Sequence, residues 1–511
     1  MTQDQLDRLD VCYCRFCLDE ICEEEVVPAR SLLGPSRFDL YAILLYIDSK
    51  VRGLSNNKYH EDVYCARTGA ITGDRYVEIG KSHKTSFEAY RDDLDKLINA
   101  HLAGEYDENR TYIPVDKDYV LLDGAHRVAC AAYFNKQVPI LRFLNREAGR
   151  VDYKSLGNRL LHVTASDAMA LEASKWHENL FMLLFWPVAN NNKEALERSM
   201  QLVREKMAIL YERQMPLSSI AIRNLMLQLY GHMDWLGSVD DGFKGLNSKV
   251  EAVWSPEGIC RFFLVCADSV EDVLKLKAEI RAIYDIGLSP IHSTDTIQET
   301  RLAVNALFNP NSFHFLSYGK PEKYKASYNL FKQFKSTLVT NGLTIDEYII
   351  DSGMSLAIYG VRESLDLDYL CENPKQIQDV FEISGKDKEF DYHGAFLHYY
   401  NLSIQDLLYN PLNYFSFDGV KFVALPSLSV FKKNRYKEKK APKDKNDLRL
   451  IESLLGNALT RDFKIWLNTC LWSIRRRVRV FRRNVSKLRN DFLKKLGVYD
   501  SLRRIVRGSK G

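Results

Sequence analysis

The sequence predicts a multidomain protein of mixed α+β and α/β class. Its 511 residues are too many for a single hydrophobic core, so several domains are expected. A composition of 46% hydrophobic and 27% charged residues is typical of globular proteins. Short apolar runs, typical of strands, alternate with longer segments in which apolar residues recur every three or four positions, as they do in helices. We therefore expect compact α/β units followed by a separate helical tail.

Changes in composition divide the chain into five predicted parts: an acidic leader, three α/β units and a basic tail. No apolar run reaches the ~18 residues that a bilayer span requires, and the polar first residues do not form a signal peptide. We therefore expect a cytoplasmic protein. The predicted parts are residues 1–25 (leader), 26–148 (first unit), 150–325 (middle unit), 326–458 (third unit) and 460–511 (tail).

The first unit is predicted to have helices at 38–51 and 87–102 and a glycine turn at 68–73, and its central feature is a second turn that begins at Asp123. Gly124 lets the backbone approach a ligand, and the N-terminus of the following helix favours phosphate. Arg127 adds donors for phosphate oxygens. Asp123 can hold a metal ion or accept a proton, and His126 can donate to a developing negative charge. The alternative is a capped helix with a surface ion pair.

This turn also carries a family resemblance. Residues 112–115, 122–127 and 138–139 resemble the core of the ParB/sulfiredoxin-like superfamily, over a span of about residues 26–143. The resemblance implies a domain that uses the turn on ATP, ADP or CTP phosphates. Asp123 and Gly124 stand where sulfiredoxins carry their cysteine, which argues against sulfinic-acid repair. The free-serine kinases of this superfamily have a catalytic glutamate soon after the first strand, and Asp39 is the nearest substitute here.

In the middle unit, strands are predicted at 180–186 and 261–266, and helices at 194–211 and 270–284. His292, Asp295 and Glu299 follow another strand end. A threonine or aspartate with a glutamate a few residues later is typical of a helix cap. The same three side chains can instead line a second polar or metal site, so both interpretations stay open.

The third unit is predicted to contain a glycine turn at 352–355 and a strand at 364–370. Alternation along that strand places Asp366 and Asp368 on one face. Two neighbouring carboxylates repel each other unless a cation lies between them, and Mg²⁺ prefers such oxygen ligands. The sequence therefore predicts a magnesium site.

Glycine and serine followed by this Asp-x-Asp pattern resemble the nucleotidyltransferase superfamily of polymerase-beta-like fold. The resemblance implies that Gly353 and Ser355 bind the triphosphate of ATP or another NTP and that Asp366 and Asp368 bind metal. The family's third carboxylate lies on a later strand, for which Asp391 is the first choice and Asp418 the second.

A hairpin at 415–423 is predicted because Asp418 and Gly419 separate aromatic and β-branched residues. The lysine-rich stretch that follows, 432–445, is predicted to be mainly a solvated linker. Some of its cations, with Lys432 and Arg435 as the candidates, are expected to meet the triphosphate.

The tail is strongly basic: residues 461–511 contain sixteen lysines and arginines and three aspartates, which leaves a net charge of −9 on the first 460 residues. Apolar residues spaced by three and four predict a basic amphipathic helix over 463–496. Such a helix suits an anionic membrane surface and would place the protein at the inner face of the membrane. Packing onto the protein itself, or a coiled coil, is the alternative.

Four cysteines lie close together near the N-terminus, at Cys12, Cys14, Cys17 and Cys22. Only Cys14 and Cys17 have the spacing of a zinc-binding pair, and no second pair follows. We expect reduced thiols, with a zinc site as the alternative.

Together these features predict a nucleotide- and Mg²⁺-dependent phosphotransferase or nucleotidyltransferase. Its partners would be a nucleoside triphosphate and a small acceptor, such as a sugar, an alditol or their phosphates. The tail links this activity to bacterial surface-polysaccharide biosynthesis by association only. One alternative is a ParB-like nucleic-acid-binding or partition-type NTPase, which is disfavoured because the first 460 residues are net negative. Another is a catalytically inactive scaffold.

Overall fold

A computed structural model describes residues 1–9, 18–77, 84–284, 286–386 and 388–456, together with Val485 and Arg489. The chain is a mixed α+β protein with three small sheets. The strands are β1 (Cys22–Pro28), β2 (Ile113–Asp116), β3 (Gln137–Phe143), β4 (Leu180–Phe185), β5 (Ala208–Pro216), β6 (Ile259–Cys266), β7 (Ile291–Ser293), β8 (Tyr348–Ile350), β9 (Leu367–Cys371), β10 (Phe390–Tyr392), β11 (Tyr414–Phe417) and β12 (Val420–Val423).

Helices connect and cover these sheets. They are α1 (Gln3–Asp7), α2 (Leu40–Val51), α3 (Lys58–Thr72), α4 (Phe87–Leu102), α5 (Ala125–Tyr133), α6 (Tyr153–Asn158), α7 (Val163–Ala173), α8 (Lys193–Lys206), α9 (Ser219–Tyr230), α10 (Lys244–Val253), α11 (Val270–Tyr284), α12 (Ile297–Phe308), α13 (Pro310–Tyr318), α14 (Lys325–Thr340), α15 (Ser352–Ile358), α16 (Lys375–Ile383), α17 (Ile404–Tyr409), α18 (Leu425–Lys439) and α19 (Pro442–Leu455).

The first sheet has the order β1-β3-β2, with β1 antiparallel and β2 parallel to β3. Helix α2 is apolar on nearly every side and is therefore buried, and it packs against α5. The predicted helices at 38–51 and 87–102 are confirmed as α2 and α4. The predicted turn at 68–73 is wrong, because these residues continue α3 until Gly73 caps it with φ +61°.

The middle sheet is antiparallel, with the order β5-β6-β4-β7. Every residue of β4 is buried, as its continuous apolar run predicts. Helix α11 and strand β6 also lie where the sequence predicts them. The predicted helix at 194–211 is wrong at its end: α8 stops at Lys206, and the chain from Ala208 pairs with β6 as β5. Pairing with the sheet overrides the helical period there.

The third sheet has the order β10-β9-β8-β12-β11. The predicted hairpin is confirmed as β11 and β12, and its two turn residues have positive φ: +51° at Asp418 and +80° at Gly419. The stretch 432–445 is not a linker, because most of it forms α18 and the start of α19, which pack against each other. Most of its lysines are nevertheless exposed, as predicted.

One hydrophobic cluster includes residues from all three sheets, among them Ile140, Leu184 and Phe422. The α/β units therefore share a core, and the boundaries given above stay predictions. Within the described ranges, no helix is both long and apolar enough to cross a bilayer. The predicted tail helix lies outside the described residues except at Val485 and Arg489, as do Cys12, Cys14 and Cys17.

Candidate metal centre

Three carboxylates lie side by side across three neighbouring strands of the third sheet. Asp368 on β9 is the direct partner of Asp391 on the parallel strand β10. Asp351 follows β8, and its backbone N–H donates to the carbonyl of Asp368 at 2.8 Å, which continues the antiparallel register. Directly opposed residues share a face of a sheet. We call Asp351, Asp368 and Asp391 the aspartate row.

His393 connects two members of this row. Its Nδ1 lies 3.1 Å from Asp351 Oδ2, and its Nε2 lies 3.2 Å from Asp368 Oδ1. The ring is buried, and its backbone N–H donates to the carbonyl of Tyr369, which anchors the residue beyond the end of β10. The hydroxyl of Tyr400 and the backbone N–H of Ser352 also donate to Asp351. The positions of Asp351 and His393 are thus fixed by several contacts.

The electrostatics of the row favour a bound cation. Burial, together with the charges of Asp351, Asp366 and Asp391, raises the pKa of Asp368 to about 6, although His393 acts to lower it. For His393, burial lowers the pKa, but the Asp351 hydrogen bond and the surrounding carboxylates outweigh it, so the pKa is raised. Repulsion among carboxylates disappears when a cation lies between them.

The donor atoms are close enough for one metal ion. Ligand atoms of Asp368, Asp391 and His393 all lie within 4.8 Å of one another. Two carboxylates and an imidazole can hold a divalent cation: Mg²⁺ takes the oxygens and keeps several waters, and Mn²⁺ or Zn²⁺ also accepts the nitrogen. The donor set therefore fits a divalent cation without singling out Mg²⁺.

This centre lacks one of the carboxylates that the sequence predicts for it, Asp366. Strand β9 begins at Leu367, so Asp366 precedes the strand, is exposed, and accepts a hydrogen bond from Ser364 Oγ at 3.0 Å. It is not among the three candidate ligands, and the prediction that Asp366 and Asp368 form the ligand pair is corrected accordingly. The first choice for the third carboxylate, Asp391, belongs to the group. The second choice, Asp418, is instead paired with Lys332 and Lys335 at 2.8 Å.

Sequence reasoning missed Asp351 and His393. The first immediately precedes the predicted glycine turn, and the second lies two residues beyond Asp391, the spacing that puts side chains on one face of a strand. Both signals were present in the sequence. Only the register among β8, β9 and β10 shows that they meet.

The predicted triphosphate turn is the first turn of α15, whose N-cap is Asp351. At Gly353 an added Cβ would lie 2.5 Å from Ser364 Oγ and 3.0 Å from a guanidinium nitrogen of Arg362. The glycine is therefore required for close packing. Ser355 is fully buried, and within the described part of the chain its hydroxyl has no hydrogen-bond partner. The structure shows no solvent-facing glycine loop at this point.

The two predicted phosphate-binding cations have different environments. Lys432 is fully buried, 3.0 Å from Asp447 and 3.4 Å from Asp444, so its charge is neutralised inside the protein. Its contact with phosphate stays a prediction. Arg435 keeps a side chain that is 20% exposed and pairs with Asp444. The Asp444 hydrogen bond raises its pKa, and the charges of Asp351 and Asp368 contribute. Arg435 therefore lies within the electrostatic field of the aspartate row.

The turn in the first unit has the predicted backbone form. Gly124 has φ +86° and precedes α5, a conformation that favours glycine. Arg127 donates to Thr111 Oγ1 at 2.6 Å and to the carbonyl of Tyr112 at 3.3 Å, and Asp123 lies 3.8 Å from its guanidinium. His126 Nε2 lies 2.8 Å from the hydroxyl of Tyr64. The arginine therefore ties the helix to the strand beside it, and phosphate binding by this turn stays a prediction.

Asp39, the predicted substitute for the catalytic glutamate, lies inside the protein, and its catalytic role stays a prediction. Its carboxylate is completely buried, receives two hydrogen bonds from Arg37 at 2.8 and 3.0 Å, and is also paired with Arg67. Burial alone would raise its pKa, but the two guanidinium groups hold the pKa well below its usual range. Arg37 also donates to the carbonyl of Leu121, which leads into the Asp123 turn. Asp39 therefore positions that turn from inside the protein.

The remaining candidate cluster, His292 with Asp295 and Glu299, is organised as a helix cap. Thr296 accepts from the backbone N–H of Glu299, and Glu299 accepts from the backbone N–H of Asp295 at 2.8 Å. His292 Nε2 lies 3.0 Å from Glu299. This geometry favours the capping interpretation, because both carboxylate oxygens of Glu299 already have hydrogen-bond partners, His292 and the backbone N–H of Asp295.

Comparison with known proteins adds no further information on function. No family model, no curated protein and no solved structure matches this chain.

Proposed function

We propose that this chain is a nucleotide- and divalent-metal-dependent transferase of phosphorus-containing groups, acting as a nucleotidyltransferase on a small metabolite. The observation that carries the proposal is the aspartate row with His393 held between two of its members. Two buried carboxylates, Asp351 and Asp368, beside the exposed Asp391 are unfavourable in a protein without a cation. Phosphoryl and nucleotidyl transfer are reactions that require metal-bound carboxylates at the reacting phosphate.

The order of elements supports the same proposal. Strand β8 leads to the short helix α15, β9 returns antiparallel with Asp368, and the next strand, β10, brings Asp391 beside it. A glycine–serine segment, an aspartate strand and a third carboxylate on a later strand are the features of the polymerase-beta-like resemblance. Asp391, as the third carboxylate, supports the proposal whether or not Asp366 binds metal.

Each residue can be given a role in such a reaction. When bound, a divalent ion would stabilise charge on the transferred phosphorus and on the leaving pyrophosphate. Asp368 and Asp391 would hold it, with His393 as a nitrogen ligand or as the holder of a proton beside the acceptor. Asp351 keeps His393 in place by accepting from its Nδ1–H. Arg435 would contact phosphate oxygens with the part of its guanidinium that is exposed.

The wider proposal concerns substrates and place in the cell. We propose Mg²⁺ as the ion and ATP or another NTP as the donor, with a sugar, an alditol or their phosphates as acceptor. The turn at Asp123 is proposed to bind phosphate in a second, kinase-type step on the same substrate. The tail is proposed to hold the protein at an anionic membrane surface, as suits an enzyme of bacterial surface-polysaccharide biosynthesis.

The test is pyrophosphate release from labelled ATP and CTP in the presence of a panel of sugars, alditols and amino acids. The Asp368→Asn and Asp391→Asn variants should each lose about 10²- to 10⁴-fold in rate with either Mg²⁺ or Mn²⁺. Asp379→Asn is the matched control, because this exposed aspartate lies on α16 between the same two strands. Normal rates in both row variants would refute the assignment.

A further inference from the structure

A cavity lies apart from the aspartate row, where α2, α7 and α12 approach the hairpin of the third sheet. Its volume is about 640 Å³, which is within the range of small-molecule sites. We call it the basic cleft because five cationic side chains line it: Arg52, Lys175, Arg301, Lys335 and Lys421.

Four of these cations have a carboxylate within 3.3 Å. Their ion pairs are Arg52 with Asp48 at 2.8 Å, Lys175 with Glu172 at 2.7 Å, Lys335 with Asp418 at 2.8 Å, and Arg301 with Glu178 at 3.3 Å. The Glu178 side chain is 78% exposed, so solvent weakens the last of these pairs.

Lys421 has the most distant carboxylate partner of the five cations. Its side chain is 10% exposed, and its ammonium group donates to the backbone carbonyl of Asp346 at 2.8 Å. The carboxylate of Asp346 lies 3.7 Å away on a side chain that is 79% exposed, so solvent weakens this pair. Burial lowers the pKa of Lys421, and the charges of Lys175 and Arg52 lower it further against the effect of Asp346. A buried ammonium group in this position is costly until an anion accompanies it.

Aromatic rings surround the same ammonium group. Its nitrogen lies 5.2 Å from the ring centre of Tyr409 and 5.3 Å from that of Tyr414. The guanidinium of Arg52 also lies over the ring of Tyr409, at 3.9 Å from its centre. The cleft is also lined by four carboxylates, those of Asp48, Glu172, Asp346 and Asp418, so its five cations leave a formal charge of 5 − 4 = +1. This small positive charge lies beside flat aromatic walls, a combination that suits an anion attached to an apolar or aromatic group.

We propose that the basic cleft binds a small phosphate monoester with an apolar or aromatic substituent, and that Lys421 donates to its phosphate. This site is separate from the metal centre. Asp346, at the cleft, precedes β8, whereas Asp351, in the aspartate row, follows the opposite end of the same strand. The inference concerns residues outside the metal centre and does not depend on the proposed transferase activity.

The test uses the full chain in EDTA, so that phosphate cannot bind through a metal ion. Phenyl phosphate is titrated by calorimetry into the wild type, Lys421→Met and Lys249→Met. Lys249 is the matched control because it is also partly buried with a lowered pKa and donates to a backbone carbonyl, that of Leu288, outside the cleft. We expect saturable binding to the wild type and to Lys249→Met, and binding about 10- to 100-fold weaker to Lys421→Met, as for loss of a charged hydrogen bond.

Two comparisons make the outcome decisive. Phenol should bind far more weakly than phenyl phosphate, and binding of equal strength would overturn the proposal because the anion would then be irrelevant. Equal affinity of Lys421→Met and wild type, or no saturable binding to the wild type, would also overturn it. A second measurement uses only the wild type, so that it does not depend on whether the variant folds. Phenyl phosphate should protect Lys421, and not Lys249, from an amine-reactive label that is detected by mass spectrometry. Unchanged labelling of Lys421 would count against the site.

Discussion

Replacement of Asp368 by asparagine should stabilise the metal-free protein while it abolishes turnover. The structure gives the size of the effect: the pKa of Asp368 rises from its ordinary 3.8 to about 6. At about 1.4 kcal/mol for each pH unit, the folded protein disfavours the charged carboxylate by about 3 kcal/mol at neutral pH. Loss of the contact with His393 at 3.2 Å offsets part of this gain. We therefore expect Asp368→Asn to raise the free energy of unfolding by about 1–3 kcal/mol in EDTA at pH 7.5.

The pH dependence follows from the direction of the shift. Because the folded-state pKa is raised, the folded protein binds more protons than the unfolded chain between about pH 4 and pH 6, and this group makes wild-type stability fall as the pH rises through that window. Below pH 4 the wild-type carboxyl is protonated in both states. The advantage of Asp368→Asn should therefore be largest above pH 6 and disappear near pH 4.

Urea unfolding with and without Mg²⁺ or Mn²⁺ measures both effects. A metal ion at one hundred times its Kd should stabilise the wild type by about 2.7 kcal/mol and leave Asp368→Asn nearly unchanged. A variant that is less stable than the wild type in EDTA at pH 7.5 would refute the reasoning, because Asp368 would then be a stabilising ion-pair partner of His393. The same metal response in both proteins would show that the ion binds elsewhere.

Three further predictions concern other parts of the chain. Asp39→Asn should lower the free energy of unfolding by about 3–5 kcal/mol, since it leaves two buried guanidinium groups without a carboxylate. Urea unfolding measures this loss, with Asp379→Asn at an exposed position as the control, and a loss below about 1 kcal/mol would contradict the prediction. Arg127→Ala should abolish nucleotide binding by the first unit and also destabilise it by about 1–3 kcal/mol, because the carbonyl of Tyr112 loses its donor; unchanged binding of labelled ATP would remove the phosphate role of the turn. Deletion after Thr460 should remove binding to anionic vesicles without changing turnover in solution. Equal vesicle binding by the full-length and truncated proteins would show that the tail packs internally. Salt-dependent retention on DNA in place of vesicle binding would favour the nucleic-acid alternative.

Local patterns determined much of the fold. The continuous apolar run of β4, the helical period of α4 and α11, and the Asp418–Gly419 hairpin all lie where the sequence predicts them. In each case the information is contained in a few adjacent residues, through burial on all sides, a repeat of 3.6 residues or a turn that needs positive φ. The errors occur where distant pairing decides the outcome. Residues after Lys206 join β5 because β6 is available to pair with them, although their pattern continues a helix.

The site shows the same division. The sequence by itself made Asp368 and Asp391 metal-ligand candidates, because an acidic strand that follows a glycine segment is a local pattern. Burial and register then decided which side chains meet. Asp366 precedes its strand and is exposed, and Asp39 is enclosed by two arginines. Asp351 belongs to the aspartate row, and His393 connects it to Asp368. Lys421 and the cations of the basic cleft come from segments far apart in the chain. Their meeting depends on tertiary packing, because charge and burial act through space and are not encoded by spacing along the sequence.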